Sequence, residues 1–295
     1  MIPAMHDAER PDDRRWTSVS EEALQQIHRI ERQATIRRSG AAGHQVTWRR
    51  FGEGPPLLLL HGGHGSWLHW VRNIEARSAS HQLWVADLPG YGSSDVPASP
   101  TLEGLLGSLM AAIDAALGAT TPFALAGFSF GGLVAAHVAA RRGGVSKLAL
   151  LGPAGHGGAR RPRGELRSWR DCLNPPDHAR LHEVMRHNLL MHMLHDAESV
   201  DDLALQVHTE ACLRTRFHSK SISLAGGLQD SLAAYAGSLL VVWGAEDVTT
   251  TPAALARAPW LARAEGEVVV LPGSGHWVQY EAADAVNRRL ERFLA

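Results

Sequence analysis

The chain has 295 residues, 45% of them hydrophobic, and a formal net charge of −1 at pH 7. This is enough apolar material for one large core, with room for a smaller inserted domain. A net charge near zero creates no field that would attract nucleic acid or an anionic membrane. Two cysteines make no disulfide framework, the charged N terminus has no signal-peptide core, and no stretch is apolar enough for a membrane span. We therefore expect a soluble, cytoplasmic protein.

An N-terminal extension carrying one helix is predicted for residues 1–40. Within it, residues 1–17 have the composition of a disordered lead. Ser18 and Ser20 precede a pair of glutamates, which is the chemistry of a helix N-terminus, and the helix should run to about Gln33. The apolar face of this helix is thin. It should therefore pack on the rest of the domain or on a partner chain, as in a homodimer.

Apolar strands alternate with helices along most of the chain. Residues 45–51 alternate as an edge strand would, whereas Pro56–His61 is a continuous apolar run typical of a strand buried on both faces. Further strands are predicted at 82–86, 122–126, 147–151, 238–243 and 267–271, and helices at 102–117, at 133–142 and from 282 onwards. This alternation predicts an α/β fold with a mostly parallel, doubly wound sheet, which binds ligands at the carboxyl ends of its strands.

Residues 153–224 differ from the rest because they lack strand-like runs and are rich in Arg, His and Met. Residues 174–177 favour the start of one helix, and the capping-box pattern at 199–202 favours the start of another. We predict a helical cap over the strand ends, inserted between core segments 41–152 and 225–295. Its methionines should be partly core and partly the ceiling of an apolar pocket.

One segment places a serine at a predicted strand-to-helix turn. Gly127-Phe128-Ser129-Phe130-Gly131 follows an apolar strand and precedes a helix. The Gly-x-Ser-x-Gly spacing in that setting holds the serine in a strained backbone conformation with its hydroxyl exposed. The helix N-terminus supplies a backbone N–H and a favourable dipole for a developing oxyanion. A flexible glycine-rich turn with an ordinary serine is the alternative, which this placement disfavours.

A nucleophilic serine needs a general base, and the base needs an orienting carboxylate. Asp247 lies just past the strand at 238–243, and His276 ends the glycine-rich loop after the next strand. The order Ser129, Asp247, His276 is the one that this strand–turn–helix nucleophile requires. Glu246 is the rival carboxylate, and its position is the less favourable of the two.

The sequence predicts neither a metal nor a cofactor. His178 and His182 have a spacing that could share an ion, but no carboxylate completes a site. The cap histidines, His192 among them, are therefore interpreted as solvated or packed within the cap. The glycine-rich segments match neither the Walker nor the dinucleotide pattern.

About residues 45–295 resemble the α/β-hydrolase fold family. The resemblance rests on His61-Gly-Gly63, the Asp87–Gly92 segment, the turn at Ser129, and the loops of Asp247 and His276. It implies oxyanion donors at the N–H groups of Gly63 and Phe130. The substrate pocket is predicted to include Gly62, His64, Ser66, Phe128 and Trp277.

His276-Trp277-Val-Gln-Tyr-Glu281 is also similar to the meta-cleavage-product hydrolases, which cleave carbon–carbon bonds and carry a tryptophan after the catalytic histidine. The chain departs from them in two ways. Phenylalanines flank Ser129 where they usually have Asn and Met, and Leu203–His208 lacks their carboxylate-binding arginine.

The predicted function is therefore hydrolysis of a carboxylic ester, with an uncharged apolar or aromatic small molecule as substrate. Hydrolysis of a carbon–carbon bond is the alternative within enzymes. A ligand-binding relative that keeps the triad without catalysis is the alternative from another class.

Overall fold

An eight-stranded β-sheet organises the chain in this computed structural model, which describes residues 20–262 and 265–295. The predicted disordered lead and Ser18 lie outside the described residues. The strand order is β1-β2-β4-β3-β5-β6-β7-β8, with β1 and β2 antiparallel to their neighbours and all other pairs parallel. The predicted mostly parallel sheet is confirmed. The strands are β1 (Thr35–Ser39), β2 (Val46–Phe51), β3 (Pro56–Leu60), β4 (Gln82–Asp87), β5 (Phe123–Phe128), β6 (Val145–Leu151), β7 (Ser238–Gly244) and β8 (Gly266–Leu271).

Helices cover both faces of the sheet. Leu57 and Leu59 of β3 pack into one hydrophobic cluster, while Leu58 and Leu60 pack into the other. Both faces of β3 are therefore buried, which explains its continuous apolar run. The helices are α1 (Glu21–Glu31), α2 (Ile74–Ser78), α3 (Leu102–Leu117), α4 (Phe130–Arg142), α5 (His178–Asn188), α6 (Asp202–Leu213), α7 (Lys220–Leu224), α8 (Leu228–Ala233), α9 (Pro252–Leu255), α10 (Val278–Glu281) and α11 (Ala283–Leu294). Within the described ranges, no helix combines the length and apolar character of a membrane span.

The edge of the sheet differs from the prediction. The strand expected at the edge, β2, pairs on both sides, and β1 is the edge strand instead. Four of the five β1 side chains are exposed, so this strand carries no apolar pattern by which the sequence could reveal it. Helix α1 forms as predicted, with the Ser20 side chain accepting from the N–H of Ala23. Its buried face joins the main core and lies against α6, so packing on its own chain accounts for that face.

Residues 153–224, all of which the structure describes, form helices and turns and contribute no strand to the sheet. Helix α5 begins directly after the predicted segment 174–177, and its N-cap is Asp177, whose side chain accepts from the N–H of Arg180. The predicted start of α6 is wrong by two residues: the N-cap is Asp201, whose side chain accepts from the N–H of Ala204, because Ser199 ends a separate 3-10 turn. The division into a cap and a core at these boundaries stays a prediction.

Candidate active site

Ser129 occupies the sharp turn between β5 and α4. Its backbone has φ 53° and ψ −117°, a positive φ that a residue with a side chain rarely adopts. The glycines on either side permit this turn: a Cβ on Gly127 would meet the carbonyl oxygen of Gly131, and a Cβ on Gly131 would meet that of His61. The predicted strained turn is thus present, and close backbone packing holds it in place.

The three predicted catalytic side chains lie in one hydrogen-bonded row. Ser129 Oγ is 2.9 Å from His276 Nε2, and His276 Nδ1 is 2.8 Å from Asp247 Oδ2. Asp247 and His276 are buried, at 0% and 3% exposure. Each follows the carboxyl end of a neighbouring parallel strand, β7 or β8, which is why residues far apart in sequence meet here. Glu246, the rival carboxylate, is exposed.

Hydrogen bonds fix the carboxylate of Asp247. Its Oδ1 accepts from both the N–H and the hydroxyl of Thr249, at 2.8 and 2.7 Å, which leaves Oδ2 to face the imidazole. Burial acts to raise the pKa of Asp247, but the neighbouring His276 and these hydrogen bonds outweigh it and hold the pKa below its ordinary value. The carboxylate therefore stays ionised beside the histidine.

The two residues predicted to supply oxyanion donors lie around the same cavity as Ser129. Gly63 and Phe130 both line the cavity that contains Ser129. Neither N–H donates to an acceptor within the described residues. Gly62 lies behind them, and a Cβ at that position would come within 3.1 Å of the Ser129 Cβ. That these two N–H groups form the oxyanion site stays a prediction.

A buried layer beneath the site holds the loop that carries Gly63. His61 Nδ1 donates to the carbonyl of Gly62 at 2.7 Å, and the N–H of Leu88 donates to its Nε2 at 2.9 Å. Burial lowers the pKa of His61 to about 4, so the ring is neutral and can accept as well as donate. Asp87 accepts from the Arg49 guanidinium and from the N–H of Trp67. These contacts explain the sequence pattern at residues 61–63 and 87–92.

A cavity of about 620 Å³ opens above Ser129. Of the predicted pocket residues, His64 and Phe128 line it and Gly62, Ser66 and Trp277 do not. Ser66 instead caps a 3-10 turn by accepting from the N–H of Leu68. The indole of Trp277 is fully buried and donates to the carbonyl of His69 at 3.0 Å. The pocket prediction was wrong for these three because nearness in sequence to a catalytic loop does not fix which way a side chain points.

The lining also includes residues that the sequence did not single out. The prediction of an apolar pocket wall was incomplete, because four cationic side chains also line the cavity. None of the described residues that line it is Asp or Glu. The cations are Arg160, Arg167, Arg170 and Lys220. They lie in segments of irregular structure or at the start of a short helix, where no periodicity indicates which residues face inward.

A second histidine approaches the row from residues 153–224. His192 lies on the π-helical turn Leu189–Met193, and its ring centroid is 5.7 Å from that of His276. Burial, followed by the nearby His276, lowers the pKa of His192 to about 3, so its ring is neutral. It lines the cavity that contains Ser129, a position that the sequence did not predict for it. The extra residue of a π-turn shifts the helical register, which the sequence pattern could not show.

Glu281 connects the cap to the loop of His276. Its carboxylate accepts from the N–H groups of His195 and Asp196 in the cap, at 2.9 and 2.7 Å. The same carboxylate accepts from the N–H of Gly275, directly before His276, at 2.6 Å. One side chain therefore fixes the segment after the His192 turn relative to the catalytic loop.

The sequence model of the α/β-hydrolase fold matches residues 55–283. The chain belongs to the α/β-hydrolase fold family. It is 30% identical to the dihydrolipoyllysine-residue acetyltransferase component of the acetoin cleaving system from Pseudomonas putida, over 85% of this chain and 67% of that protein. It is 26% identical to 2-hydroxy-6-oxo-6-phenylhexa-2,4-dienoate hydrolase from Comamonas testosteroni, over 84% and 91% of the two chains. Naproxen esterase from Bacillus subtilis has a similar fold, with a TM-score of 0.70 at 17% identity over 95% of this chain and 100% of that one.

This α/β-hydrolase fold places the site at the carboxyl ends of the parallel strands, as its topology favours. Within residues 20–262 and 265–295, no group of three or more His, Cys, Asp or Glu side chains comes together in a way that could hold a metal ion.

Proposed function

We propose that this protein is a serine hydrolase that cleaves a carboxylic ester. The observation that carries the proposal is the continuous row from Ser129 Oγ through His276 to Asp247, with two unpaired N–H groups beside the serine. A nucleophile, a base, an orienting acid and an oxyanion site are the complete set that acyl transfer to water needs.

In the proposed mechanism, His276 Nε2 removes the proton from Ser129 Oγ as the oxygen attacks the ester carbonyl. The Asp247 carboxylate holds the Nδ1–H tautomer and stabilises the imidazolium that forms. The N–H groups of Gly63 and Phe130 stabilise the negative oxygen of the tetrahedral intermediate. His276 then returns its proton to the departing alcohol oxygen. In the second half-reaction the histidine activates water, which releases the acid from the serine.

The inner wall of the cavity favours an apolar acyl group. Phe128, Phe130 and Met193 line it and are buried, at 0%, 1% and 6% exposure. Each methylene buried against such a surface gains about 0.8 kcal/mol, which is roughly a fourfold gain in affinity. We therefore propose a small-molecule ester with an apolar or aromatic acyl part and no cofactor.

Hydrolysis of a carbon–carbon bond is the second candidate. It is favoured by the similarity to a dienoate hydrolase and by the tryptophan that follows His276. In that reaction His276 would also have to manage a proton transfer to carbon. A ring-fission dienoate cleaved a hundredfold faster than every ester tested would favour this candidate over ester hydrolysis.

The test begins with the nucleophile. A fluorophosphonate should label Ser129 stoichiometrically, and the protein should turn over p-nitrophenyl esters. Ser129→Ala should abolish labelling and lower kcat by about ten-thousandfold or more while leaving the fold intact, because it removes one oxygen from a cavity wall. Turnover within tenfold of wild type would contradict the assignment. Labelling without turnover would instead indicate a binding protein that keeps the triad.

A further inference from the structure

Among the residues that the structure describes, the mouth of the cavity carries four cationic side chains and no acidic one. Arg160, Arg167, Arg170 and Lys220 line the cavity and are exposed at its rim. No carboxylate within the described part of the chain forms an ion pair with any of them. The net charge of the whole chain is −1, so this local excess of positive charge is not a property of the surface in general.

Neighbouring arginines of the same segment behave differently. The Arg161 guanidinium donates to the carbonyl groups of Thr250, Ala245 and Asp247, and Arg163 donates to three carbonyl groups of the cap. These two hold the segment in place. The side chains of Arg160 and Arg167 have no such partner among the described residues, so the segment that Arg161 and Arg163 fix presents both of them at the cavity.

Arg170 lies on another part of the rim. Its guanidinium carbon sits 4.4 Å from the centre of the Trp169 ring, a contact that orients the group without using its N–H donors. Burial lowers the pKa of His64, and the positive charge of Arg170 adds to that effect, which places this charge beside the Gly63 loop. Arg160 acts in the same direction on the pKa of His192, which also lines the cavity.

The cavity is therefore apolar where it is buried and cationic where it opens. Phe128 and Phe130 line the deep part beside Ser129, while the exposed arginines line the entrance. A ligand that satisfies both regions has an apolar segment near the scissile bond and an anionic group at its far end. Guanidinium groups are suited to that role because they bind carboxylate and phosphate oxygens through paired N–H donors.

We propose that the substrate of this site is an ester whose acyl chain ends in an anionic group, a carboxylate or a phosphate, held at the mouth by Arg160 and Arg170 with Arg167 and Lys220 nearby. This inference rests on the proposed ester hydrolysis. It replaces the expectation that a fully uncharged ester fits best.

Matched substrates test it. p-Nitrophenyl octanoate and mono-p-nitrophenyl suberate have acyl chains of equal length and differ in a terminal carboxylate. The corresponding terminal phosphonate and terminal trimethylammonium esters complete the set, and each rate is divided by the spontaneous hydrolysis rate of the same ester. At low ionic strength kcat/KM for the suberate ester should exceed that for the octanoate ester by about tenfold, and the trimethylammonium ester should be the poorest. Preference for carboxylate over phosphonate, or the reverse, identifies the source of the anion.

Variants of the arginines at the cavity entrance test whether they cause the preference for the suberate ester. Arg160→Gln combined with Arg170→Gln should reduce the preference for the suberate ester to near one, and the preference is taken as a ratio of kcat/KM values so that any effect common to both esters cancels. Arg37→Gln is the matched control, because Arg37 is an exposed arginine of β1 and does not line the cavity. In the wild-type protein, added salt should lower the preference in the same direction, since salt screens exposed charges.

The outcomes separate this inference from the proposed function. A kcat/KM for the octanoate ester that equals or exceeds that for the suberate ester would overturn the inference and leave ester hydrolysis intact. A preference for the suberate ester that persists in the double variant or at high salt would have the same consequence. If no ester is hydrolysed, the proposed function fails, and calorimetric binding of monomethyl suberate and methyl octanoate then decides the inference. Tighter binding of the suberate would support the anionic subsite, and equal binding would overturn it.

Discussion

The two walls of the cavity are built in different ways. The wall that belongs to the sheet consists of loops after β5, β7 and β8, and its key groups are buried and hydrogen-bonded on both sides, as Asp247 is by Thr249 and His276. The wall that belongs to residues 153–224 consists of turns and helices, and it carries exposed arginines. Under the proposed function, the sheet wall would carry out the chemistry and the opposite wall would select the substrate.

The largest expected effect lies on the sheet wall. Asp247→Asn should lower kcat by about ten-thousandfold, because the amide cannot hold the Nδ1–H tautomer or stabilise the imidazolium. Glu246→Gln is the matched control: it removes the neighbouring carboxylate, which is exposed and outside the row, and should change kcat little. Rates would be measured with p-nitrophenyl butyrate. A larger loss for Glu246→Gln would mean that the wrong carboxylate has been assigned.

Acid should destabilise both walls through buried neutral histidines. Burial lowers the pKa of His61 and of His208 to about 4 each, from an ordinary value of 6.5. Between those values the unfolded chain binds a proton that the folded protein does not, so stability is complete above pH 6.5 and falls as the pH drops toward 4. Each histidine should contribute a slope of about 1.4 kcal/mol per pH unit to the free energy of unfolding.

Urea unfolding at several pH values measures that slope. His208→Gln should lower the slope of the unfolding free energy against pH by the contribution of one histidine. The contribution of His61 should remain. His218→Gln is the control, because His218 is an exposed histidine of the same region. A slope that His208→Gln leaves unchanged would show that His208 is already protonated in the folded protein.

Glu281 joins the two walls, so its removal should loosen one relative to the other. Glu281→Gln keeps one acceptor oxygen but loses the charge that strengthens three hydrogen bonds to backbone N–H groups. We expect a loss of about 1–3 kcal/mol in stability and a Tm lower by about 2–4 °C for each kcal/mol. Glu183→Gln, on the exposed face of α5, is the control. Equal melting temperatures for the two variants would mean that the link carries no stability.

The smallest effect concerns the apolar lining on the cap side. Met191 lines the cavity and is half-buried. Met191→Ala should lower the ratio of kcat/KM for p-nitrophenyl octanoate to that for the butyrate by about fourfold, the equivalent of one methylene contact. Met110→Ala, on α3 and outside the cavity, should leave the ratio unchanged. A ratio that does not respond to Met191→Ala would place the acyl chain elsewhere in the cavity.

The sequence by itself determined the sheet wall. Buried strands require continuous apolar runs, and the turn at Ser129 requires glycines on both sides, so both leave a local pattern. The loops of Asp247 and His276 follow such strands directly, and the carboxyl ends of neighbouring parallel strands meet at one edge. The order of three short motifs was therefore enough to predict that these side chains come together.

Only the tertiary structure decided the rest. The edge position of β1 depends on pairing with β2, and its exposed side chains carry no signal. The approach of His192 depends on a π-helical turn, and the inward placement of Arg160 and Arg170 depends on a segment held by backbone contacts from Arg161 and Arg163. Without a helical or strand period, a sequence does not fix the direction of a side chain. That direction is set by long-range contacts, and in this protein it determines the charge at the mouth of the cavity.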